Sequence, residues 1–263
     1  MEKQTLDNVT ALILAGGQGT RLRSVISDRP KPMAGIRTHQ GKEEKPFLSF
    51  LMTYLAKQGI KHIVLSISHM AQQIAEFYSD ERELLHLANL GISLDFCYEK
   101  KPLGTGGALK FAMDDEDLFS LCAPNVLVLN GDSFFNSNLA AFYDFHLNAP
   151  LSNFSLNLKE MPSIDRYGQV VLEGQKVEFF KEKDPSFQGS GLINSGVYFL
   201  NRSYYLAASK KLERDHFSLE KDFFPLALEE GMYADVRSKD EYFIDIGIPE
   251  DYFRSQEELQ SFL

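Results

Sequence analysis

The sequence predicts an α/β protein with a mixed, mostly parallel sheet flanked by helices. Three observations lead to this prediction. The first half of the chain alternates short apolar runs, typical of buried strands, with longer runs whose apolar residues recur at helical spacing. After Pro150 the pattern changes to several short strands separated by Gly or Pro turns. The 263 residues, 44% of them hydrophobic, are enough to build one large core.

The first half, about residues 9–150, contains strands and helices in alternation. Its glycines mark where elements begin and end: the helix-like run from Pro46 stops at Gly59, a common helix C-terminal signal. Alternation of this kind favours a doubly wound parallel sheet. The predicted strands are 11–15, 62–68, 92–98 and 126–134, and the predicted helices are 46–59, 70–78 and 104–114.

The second half, about residues 151–263, is richer in strands. A final helix is predicted after Pro249, because proline at the start and acids in the first turn favour a helix N-terminus. We expect one continuous domain over residues 1–263, whose second half forms a wall over the first. The predicted strands are 153–161, 169–174, 176–183, 192–200 and 242–247, and a helical run covers 218–231.

The charge distribution favours a small anionic substrate. The net charge is −10, which argues against a general nucleic-acid surface. Positive charge is nevertheless concentrated locally, since residues 16–32 carry four arginine or lysine residues and one aspartate. The sequence therefore predicts small-molecule substrates and no nucleic-acid partner.

Cysteine usage and hydropathy favour a cytoplasmic protein without a membrane partner. Cys97 and Cys122 form neither a metal-type pair nor a disulfide framework, so we expect buried, reduced thiols. No apolar stretch approaches the roughly 18–20 residues that span a bilayer. The first residues contain no apolar run of the kind that signal peptides have.

The stretch LAGGQGTRLR at 14–23 follows the first predicted strand and suits a phosphate group. Its glycines let backbone N–H groups approach a ligand, and arginine supplies charge. It is no dinucleotide fingerprint, because Leu22 stands where a third glycine is needed, and no Gly-Lys-Ser/Thr follows as in a P-loop. A bare GGxG would be a structural turn. With Arg21 behind it and Lys31-Pro32 downstream, the loop is suited to a triphosphate or pyrophosphate.

Two aspartates end apolar strands and form a candidate metal site. Asp132 follows the run at 126–130, where open α/β sheets bind their ligands, and Asp245 ends another apolar run. A carboxylate beside phosphates needs a cation between them, and Mg²⁺ takes one or two protein carboxylates plus phosphate oxygens. Either aspartate alone would also fit a simple turn cap.

Two later segments have both a packing and a binding interpretation. The stretch PLGTGGALK at 102–110 is either a tightly packed helix start or backbone that approaches a nucleoside. In the second half, Lys183 is a candidate for a second phosphate and Glu182 for a hydroxyl-rich substrate. Asn194 and Gly196 are candidates for the same substrate, although all four also fit ordinary strand ends.

Taken together, AGGQGTRLR, RPKPM, PLGTGGAL, LNGDSF, INSGVYF and FIDIGIPEDY resemble the sugar-1-phosphate nucleotidyltransferase family, from about residue 10 to about residue 255. The resemblance implies a Rossmann-like domain with a sugar-binding subdomain. It also implies Mg²⁺-dependent transfer of a nucleotidyl group from an NTP to a sugar 1-phosphate, with release of pyrophosphate. Because the attacking phosphate is already an anion, we expect direct displacement without a general base.

The resemblance assigns roles by position. It places Arg21 at the β/γ-phosphates, Lys31 at the α-phosphate and Lys183 at the attacking sugar phosphate. Mg²⁺ falls to Asp132 and Asp245. The implied nucleotide-binding residues are Ala15, Gly16, Gly17, Gly19, Thr20, Glu99, Pro102, Gly104 and Thr105. The implied sugar-binding residues are Gly131, Glu182, Asn194 and Gly196.

Two departures from the family pattern concern loops. The usual Glu-Lys-Pro is Glu182-Lys183-Asp184-Pro185 here, and the extra residue leaves the reach of Lys183 open. A polar insertion, THQGKEE, also occupies residues 38–44.

Glu99 favours guanine as the base. A carboxylate only accepts hydrogen bonds, and guanine offers two adjacent donors, N1–H and the 2-amino group. Uracil and thymine offer one donor between two acceptors, which suits an amide better than a carboxylate. At the position of Glu99, family members that use uridine or thymidine nucleotides resemble one another in carrying glutamine. Glu99 would alternatively be a surface residue on a strand edge. GTP is the expected nucleotide.

For the sugar, FIDIGIPEDYF and GSGLINSGVYFL resemble family members that act on D-glycero-D-manno-heptose 1-phosphate, with mannose or another hexose 1-phosphate as the alternative. A phosphocholine cytidylyltransferase remains open, because the second half has aromatic residues that suit a quaternary ammonium. A nucleotide-sugar sensor is the non-enzyme alternative, disfavoured by the presence of both aspartates. The family is commonly oligomeric, so the resemblance implies a potential homo-oligomer.

Overall fold

A computed structural model describes residues 5–17, 19–37, 44–119, 123–150, 153–164, 166–181, 186, 189–236 and 240–262. In these ranges the strands are β1 Thr10–Leu14, β2 Gly35–Arg37, β3 Glu44–Pro46, β4 His62–Ile67, β5 Ser93–Tyr98, β6 Asn125–Asn130, β7 Ser133–Phe135, β8 Phe154–Met161, β9 Gln169–Glu173, β10 Lys176–Lys181, β11 Gly191–Asn201, β12 Tyr233–Asp235 and β13 Phe243–Asp245. The α-helices are α1 Phe47–Lys57, α2 Ala71–Tyr78, α3 Glu81–Asn89, α4 Gly104–Met113, α5 Glu116–Phe119, α6 Leu139–Asn148, α7 Arg202–Ser209, α8 Phe224–Glu230 and α9 Pro249–Glu258.

A nine-stranded sheet in the order β5-β4-β1-β6-β11-β8-β12-β10-β9 connects both halves of the chain. The strands β5, β4, β1 and β6 run parallel to one another, as the alternation predicted. From β11 onward the sheet becomes mixed, because β11 is antiparallel to both β6 and β8, whereas β12 is parallel to β8. The α/β class with a mixed sheet is therefore confirmed.

Helices cover both faces of this sheet and create two cores. Successive residues of β1 point to opposite faces, so Ala11 and Ile13 belong to one core and Leu12 to the other. The first core includes Phe47 of α1, and the second includes Leu109 of α4. Since β1 is buried on both faces, it is a continuous apolar run without alternation.

The strand predicted at 126–134 is divided in the structure, and this corrects the prediction. The strand β6 ends at Asn130, where the N–H of Gly131 donates to Leu14 O at 2.9 Å. The chain then leaves the main sheet, and β7 pairs antiparallel with β13 as a separate two-stranded ribbon. The turn between β6 and β7 carries Asp132, and this ribbon places Asp245 opposite Ser133.

Several helices are absent from the predicted set. In α3 only Leu87 is buried, whereas Leu84 and Leu85 are exposed, so the helix adds little to the core, and its start depends on the Asp80 side chain, which accepts from Arg82 N. The helical run predicted at 218–231 begins as a π-helical turn, Leu219–Phe223, before α8. The helices without a sequence prediction are α3, α5, α6 and α7. Within the described ranges, no helix is both long and apolar enough to cross a bilayer.

Candidate active site

The glycine-rich loop leaves β1 at the carboxyl edge of the parallel strands. The N–H of Ala15 donates to Ser66 O at 2.8 Å, which holds the start of the loop against β4. At Gly16 a Cβ atom would lie 3.0 Å from both Glu99 Oε1 and Ser68 Cβ, so a larger residue would displace its neighbours. Gly19 has a φ of +56°, in the left-handed region that glycine tolerates.

A cavity of about 180 Å³ opens beside this loop, at the ends of β1 and β6. Ligands of open α/β sheets bind at this edge. The Arg21 side chain is exposed and has no ion-pair partner among the described residues, so its charge is available to an anion. The residues that line the cavity are Leu14, Gly17, Gly19, Arg21, Lys31, Pro32, Asp132 and Gly247.

A buried lysine joins the two aspartates in this cavity. Lys31 begins a short 3₁₀ turn, and only 9% of its side chain is exposed. Its Nζ donates to Asp132 Oδ2 at 2.6 Å and lies 3.4 Å from Asp245 Oδ1. Residues separated by 101 and 214 positions in the sequence therefore meet at one cation.

The charges in this cluster perturb one another. Burial lowers the pKa of Lys31, but Asp132 and Asp245 outweigh it, and the pKa lies above its ordinary value. Burial and the nearby Asp132 carboxylate together raise the pKa of Asp245, against the opposing effect of Lys31. The cluster is thus two carboxylates that need positive charge between them.

This arrangement fits a divalent cation. The two carboxylates already share one cationic group, the Lys31 ammonium, and Mg²⁺ is commonly held by one or two carboxylates together with substrate phosphates. Among the described residues there is no group of three or more His, Cys, Asp or Glu side chains around one point, so phosphate oxygens would have to complete the coordination.

Glu99 lies beside the glycine-rich loop and is half-buried, which disfavours the surface-residue alternative. Its Oε1 accepts from Ser66 Oγ, and its Oε2 accepts from Leu103 N, both at 3.1 Å. The side chain therefore connects the end of β4 with the segment that opens α4. It borders Gly16 at the start of the loop.

The nucleotidyl transferase family model matches residues 10–261. The chain belongs to the nucleotidyl transferase family. This match confirms the resemblance carried by the motifs, and it agrees with the prediction of an enzyme.

Individual relatives and one solved structure are similar to this chain over nearly its whole length. D-glycero-alpha-D-manno-heptose 1-phosphate guanylyltransferase of Aneurinibacillus thermoaerophilus is 37% identical over 254 residues, covering 96% of this chain and 99% of that protein. The enzyme of the same name from Campylobacter jejuni is 39% identical over 249 residues, covering 92% and 96%. HddC from Yersinia pseudotuberculosis, also solved in complex with GMP-PN, superposes with a TM-score of 0.77 at 35% identity, covering 95% of this chain and 99% of that one.

In this nucleotidyl transferase the PLGTGG segment has a clear packing role. A Cβ at Gly106 would overlap the Phe217 ring, and one at Gly107 would overlap Asp215 O. Gly104 has a φ of +74° and also abuts Phe217. Thr105 Oγ1 donates to Glu220 Oε2 and accepts from Leu219 N. Nucleotide binding by Gly104, by Thr105 and by the exposed Pro102 stays a prediction.

The predicted sugar residues Asn194 and Gly196 lie at an irregularity of β11, where its register with β8 shifts. Both ends of the Asn194 amide are hydrogen-bonded within β11: its Oδ1 accepts from Gly196 N, and its Nδ2 donates to Tyr198 OH at 2.8 Å. Gly196 has a φ of +76° and borders the Asn130 side chain. Gly131, also predicted here, is buried against Leu14 O. Asn194 thus shapes the strand, and its contact with a sugar, like that of Gly196, stays a prediction.

The structure brings some predicted site residues together and leaves others aside. One cavity is lined by Gly17, Gly19, Arg21, Lys31 and Asp132. Asp245 does not line it but forms an ion pair with Lys31. Ala15 is buried beneath the loop, and Thr20 begins a short 3₁₀ turn. Glu182 and Lys183 lie outside the described residues, as does most of the 38–44 insertion, and so does Cys122.

Sequence reasoning missed two residues of the site. Gly247 lines the cavity, and a Cβ there would lie 2.9 Å from Asp245 Oδ1. Ser66 is fully buried and holds Glu99. The available signal for Ser66 was a single polar residue inside the otherwise apolar end of β4.

Proposed function

We propose that this chain transfers a guanylyl group from GTP to a sugar 1-phosphate, giving a GDP-sugar and pyrophosphate. D-glycero-α-D-manno-heptose 1-phosphate is the proposed acceptor. The observation that carries the proposal is the cavity in which a glycine-rich loop, Arg21 and Lys31 face Asp132 and Asp245. This set of groups suits a nucleoside triphosphate accompanied by a divalent cation.

The chemistry requires two polyanions to meet. The attacking sugar phosphate oxygen is already charged, so positioning and charge neutralisation supply most of the catalysis. Arg21 and Lys31 neutralise the triphosphate, and backbone N–H groups of the glycine-rich loop orient it. Good orientation alone lowers such barriers by roughly 7–11 kcal/mol. Lys183, in the proposal, binds the attacking phosphate.

Asp132 and Asp245 are the residues that would hold Mg²⁺. When bound, the ion supplies a positive charge that stabilises the developing charge on the phosphate oxygens. Both carboxylates converge on Lys31 Nζ, so the two residues lie close enough together to hold one cation jointly.

Guanine selection is assigned to Glu99. The carboxylate lies next to Gly16, and its two oxygens can accept from N1–H and the 2-amino group of guanine. The names of the two heptose 1-phosphate guanylyltransferases support both the guanine and the heptose assignments, and the GMP-PN complex of HddC supports the guanine assignment. A cytoplasmic location and a homo-oligomeric state remain predictions from the sequence.

Pyrophosphate release tests the proposal. Purified protein with Mg²⁺ is incubated with each of GTP, ATP, CTP, UTP and dTTP, against heptose, mannose and glucose 1-phosphates and phosphocholine. We expect release with GTP and heptose 1-phosphate, and none from Asp132→Ala, which should still fold.

Each other outcome has a defined meaning. Release with GTP and mannose 1-phosphate keeps guanylyl transfer and replaces the acceptor. Release with CTP and phosphocholine contradicts both assignments. Nucleotide binding without release from any pair contradicts the enzyme proposal and favours a sensor.

A further inference from the structure

Ser66 is a buried hydroxyl for which the proposed chemistry has no use. It lies near the end of β4, between β1 and β5, and is 0% exposed. The neighbouring residues of β4 are apolar, so a serine here needs a hydrogen-bond partner within the protein. That partner is Glu99, whose Oε1 accepts from Ser66 Oγ at 3.1 Å.

A second donor holds the other oxygen of the same carboxylate. The N–H of Leu103 donates to Glu99 Oε2 at 3.1 Å. The two donors belong to different elements, the strand β4 and the segment before α4, so together they fix the plane of the carboxylate. Each oxygen accepts one hydrogen bond and keeps a second lone pair.

The fixed carboxylate lies where the glycine-rich loop begins. At Gly16 only a hydrogen atom separates the backbone from Glu99 Oε1, since a Cβ would be 3.0 Å away. Two parallel donors, such as N1–H and the 2-amino group of guanine, bind a carboxylate best when both oxygens already face them.

We propose that Ser66 is a positioning residue for guanine selection: its hydroxyl, together with the Leu103 N–H, holds Glu99 in the orientation that accepts both guanine donors. The inference rests on the proposed function, since it requires Glu99 to contact the base. Without the Ser66 hydroxyl the Glu99 carboxylate rotates more freely. The entropy lost when the base fixes its orientation then weakens binding of the base.

Inosine triphosphate separates this role from a structural one. ITP keeps the N1–H of GTP and lacks only the 2-amino group. The ratio of kcat/KM for GTP to that for ITP therefore reports the second hydrogen bond to Glu99. A serine that only stabilises the fold would lower the melting temperature and leave this ratio unchanged.

The experiment compares wild type with Ser66→Ala, Ser66→Cys, Glu99→Gln and Ser49→Ala. Ser49 is the matched control, because it is also a buried serine with one side-chain partner, Tyr78 OH at 2.8 Å, and lies in α1. We expect Ser66→Ala to reduce the GTP/ITP ratio by about five- to tenfold, which is less than the loss of a whole charge-assisted hydrogen bond, because the Leu103 N–H still holds the other oxygen of Glu99. Ser66→Cys, whose thiol is a weaker donor, should give a smaller reduction.

The outcomes distinguish the guanine contact proposed for Glu99 from the positioning role proposed for Ser66. If Glu99→Gln lowers the ratio and neither Ser66 variant does, Glu99 contacts guanine but the Ser66 inference is wrong. If Glu99→Gln leaves the ratio unchanged, the base assignment fails and the inference fails with it. Absence of turnover with either nucleotide would instead contradict the proposed function. Should Ser66→Ala not fold, Ser66→Cys provides the test, and an unchanged ratio in that folded variant overturns the inference.

Discussion

Replacing Lys31 by methionine should lower turnover and raise the affinity of the nucleotide-free protein for a divalent cation. The Lys31 ammonium lies between the two carboxylates proposed to hold the metal, 2.6 Å from Asp132 Oδ2 and 3.4 Å from Asp245 Oδ1. Methionine keeps most of the buried stem and removes the charge. The two effects have opposite signs, which makes the variant informative.

The distances set the size of the effect. With an effective dielectric constant of 20, the two attractions amount to about 6 and about 5 kcal/mol. These are gross values, and water reduces them because 37% of the Asp132 side chain and 28% of the Asp245 side chain are exposed. We expect a net gain of about tenfold in cation affinity, or about 1.4 kcal/mol. Loss of the lysine from the triphosphate should lower kcat by about 10²–10³-fold.

Binding of Mn²⁺ without nucleotide, followed by electron paramagnetic resonance, measures the first effect, and pyrophosphate release measures the second. Lys31→Arg is the control that keeps the positive charge, and it should not increase Mn²⁺ affinity. Unchanged or weaker Mn²⁺ binding in a folded Lys31→Met protein would refute the idea that the ammonium competes with the metal. Retained turnover would refute its role at the phosphates.

Three further predictions concern Gly196 and two buried titratable side chains, His146 and Cys97. Gly196→Ala should destabilise the fold by roughly 1–3 kcal/mol and raise KM for the sugar 1-phosphate more than for GTP, because its φ is +76° and a Cβ would lie 2.6 Å from Asn130 Nδ2; equal changes in both KM values would contradict the sugar-side assignment. Burial lowers the pKa of His146 from 6.5 to about 4. Its contribution to stability is therefore lost as pH falls from about 6.5 towards 4, by up to about 3 kcal/mol, and urea unfolding should show a shallower acid dependence for His146→Asn. Burial also raises the pKa of Cys97 to about 12, so a thiol reagent at pH 8 should label a Cys122→Ser protein only after unfolding.

The sequence predicted which residue types form the candidate site better than it predicted the strand pairing that brings them together. Glycine, arginine, lysine and aspartate around a polyanion follow from local chemistry, and the end of β1 was visible as a change from apolar to glycine-rich sequence, whereas the strand predicted at 126–134 ends at Asn130. The pairing of β7 with β13 was not visible, since a short ribbon outside the main sheet depends on contacts between distant segments. That pairing is nevertheless what brings Asp245 to Asp132.

The two glycine-rich stretches show why such motifs need their neighbours to be interpreted. In the loop at 16–19, Gly17 has nothing within 4 Å of a Cβ position, so space is left open beside Arg21 and Lys31. In α4 the added Cβ of Gly106 or Gly107 would overlap Phe217 or Asp215. The first stretch leaves room for a ligand, whereas the second leaves room for the protein itself. Only the residues that follow along the chain, cationic in the first case and apolar in the second, distinguish them in sequence.

Glu99 connects these two stretches physically. Its carboxylate borders Gly16 of the loop and accepts from the N–H of Leu103, one residue before α4 begins. The packing of α4 against Phe217 fixes where that N–H lies, because the N–H groups of Gly106 and Gly107 both donate to Phe217 O. A nucleobase that contacts Glu99 would therefore be held by the same contacts that anchor the helix. The packing role of the PLGTGG segment and its predicted nucleotide role are thus compatible. The glycines of α4 pack against Phe217, and this packing positions the Leu103 N–H that holds the Glu99 carboxylate.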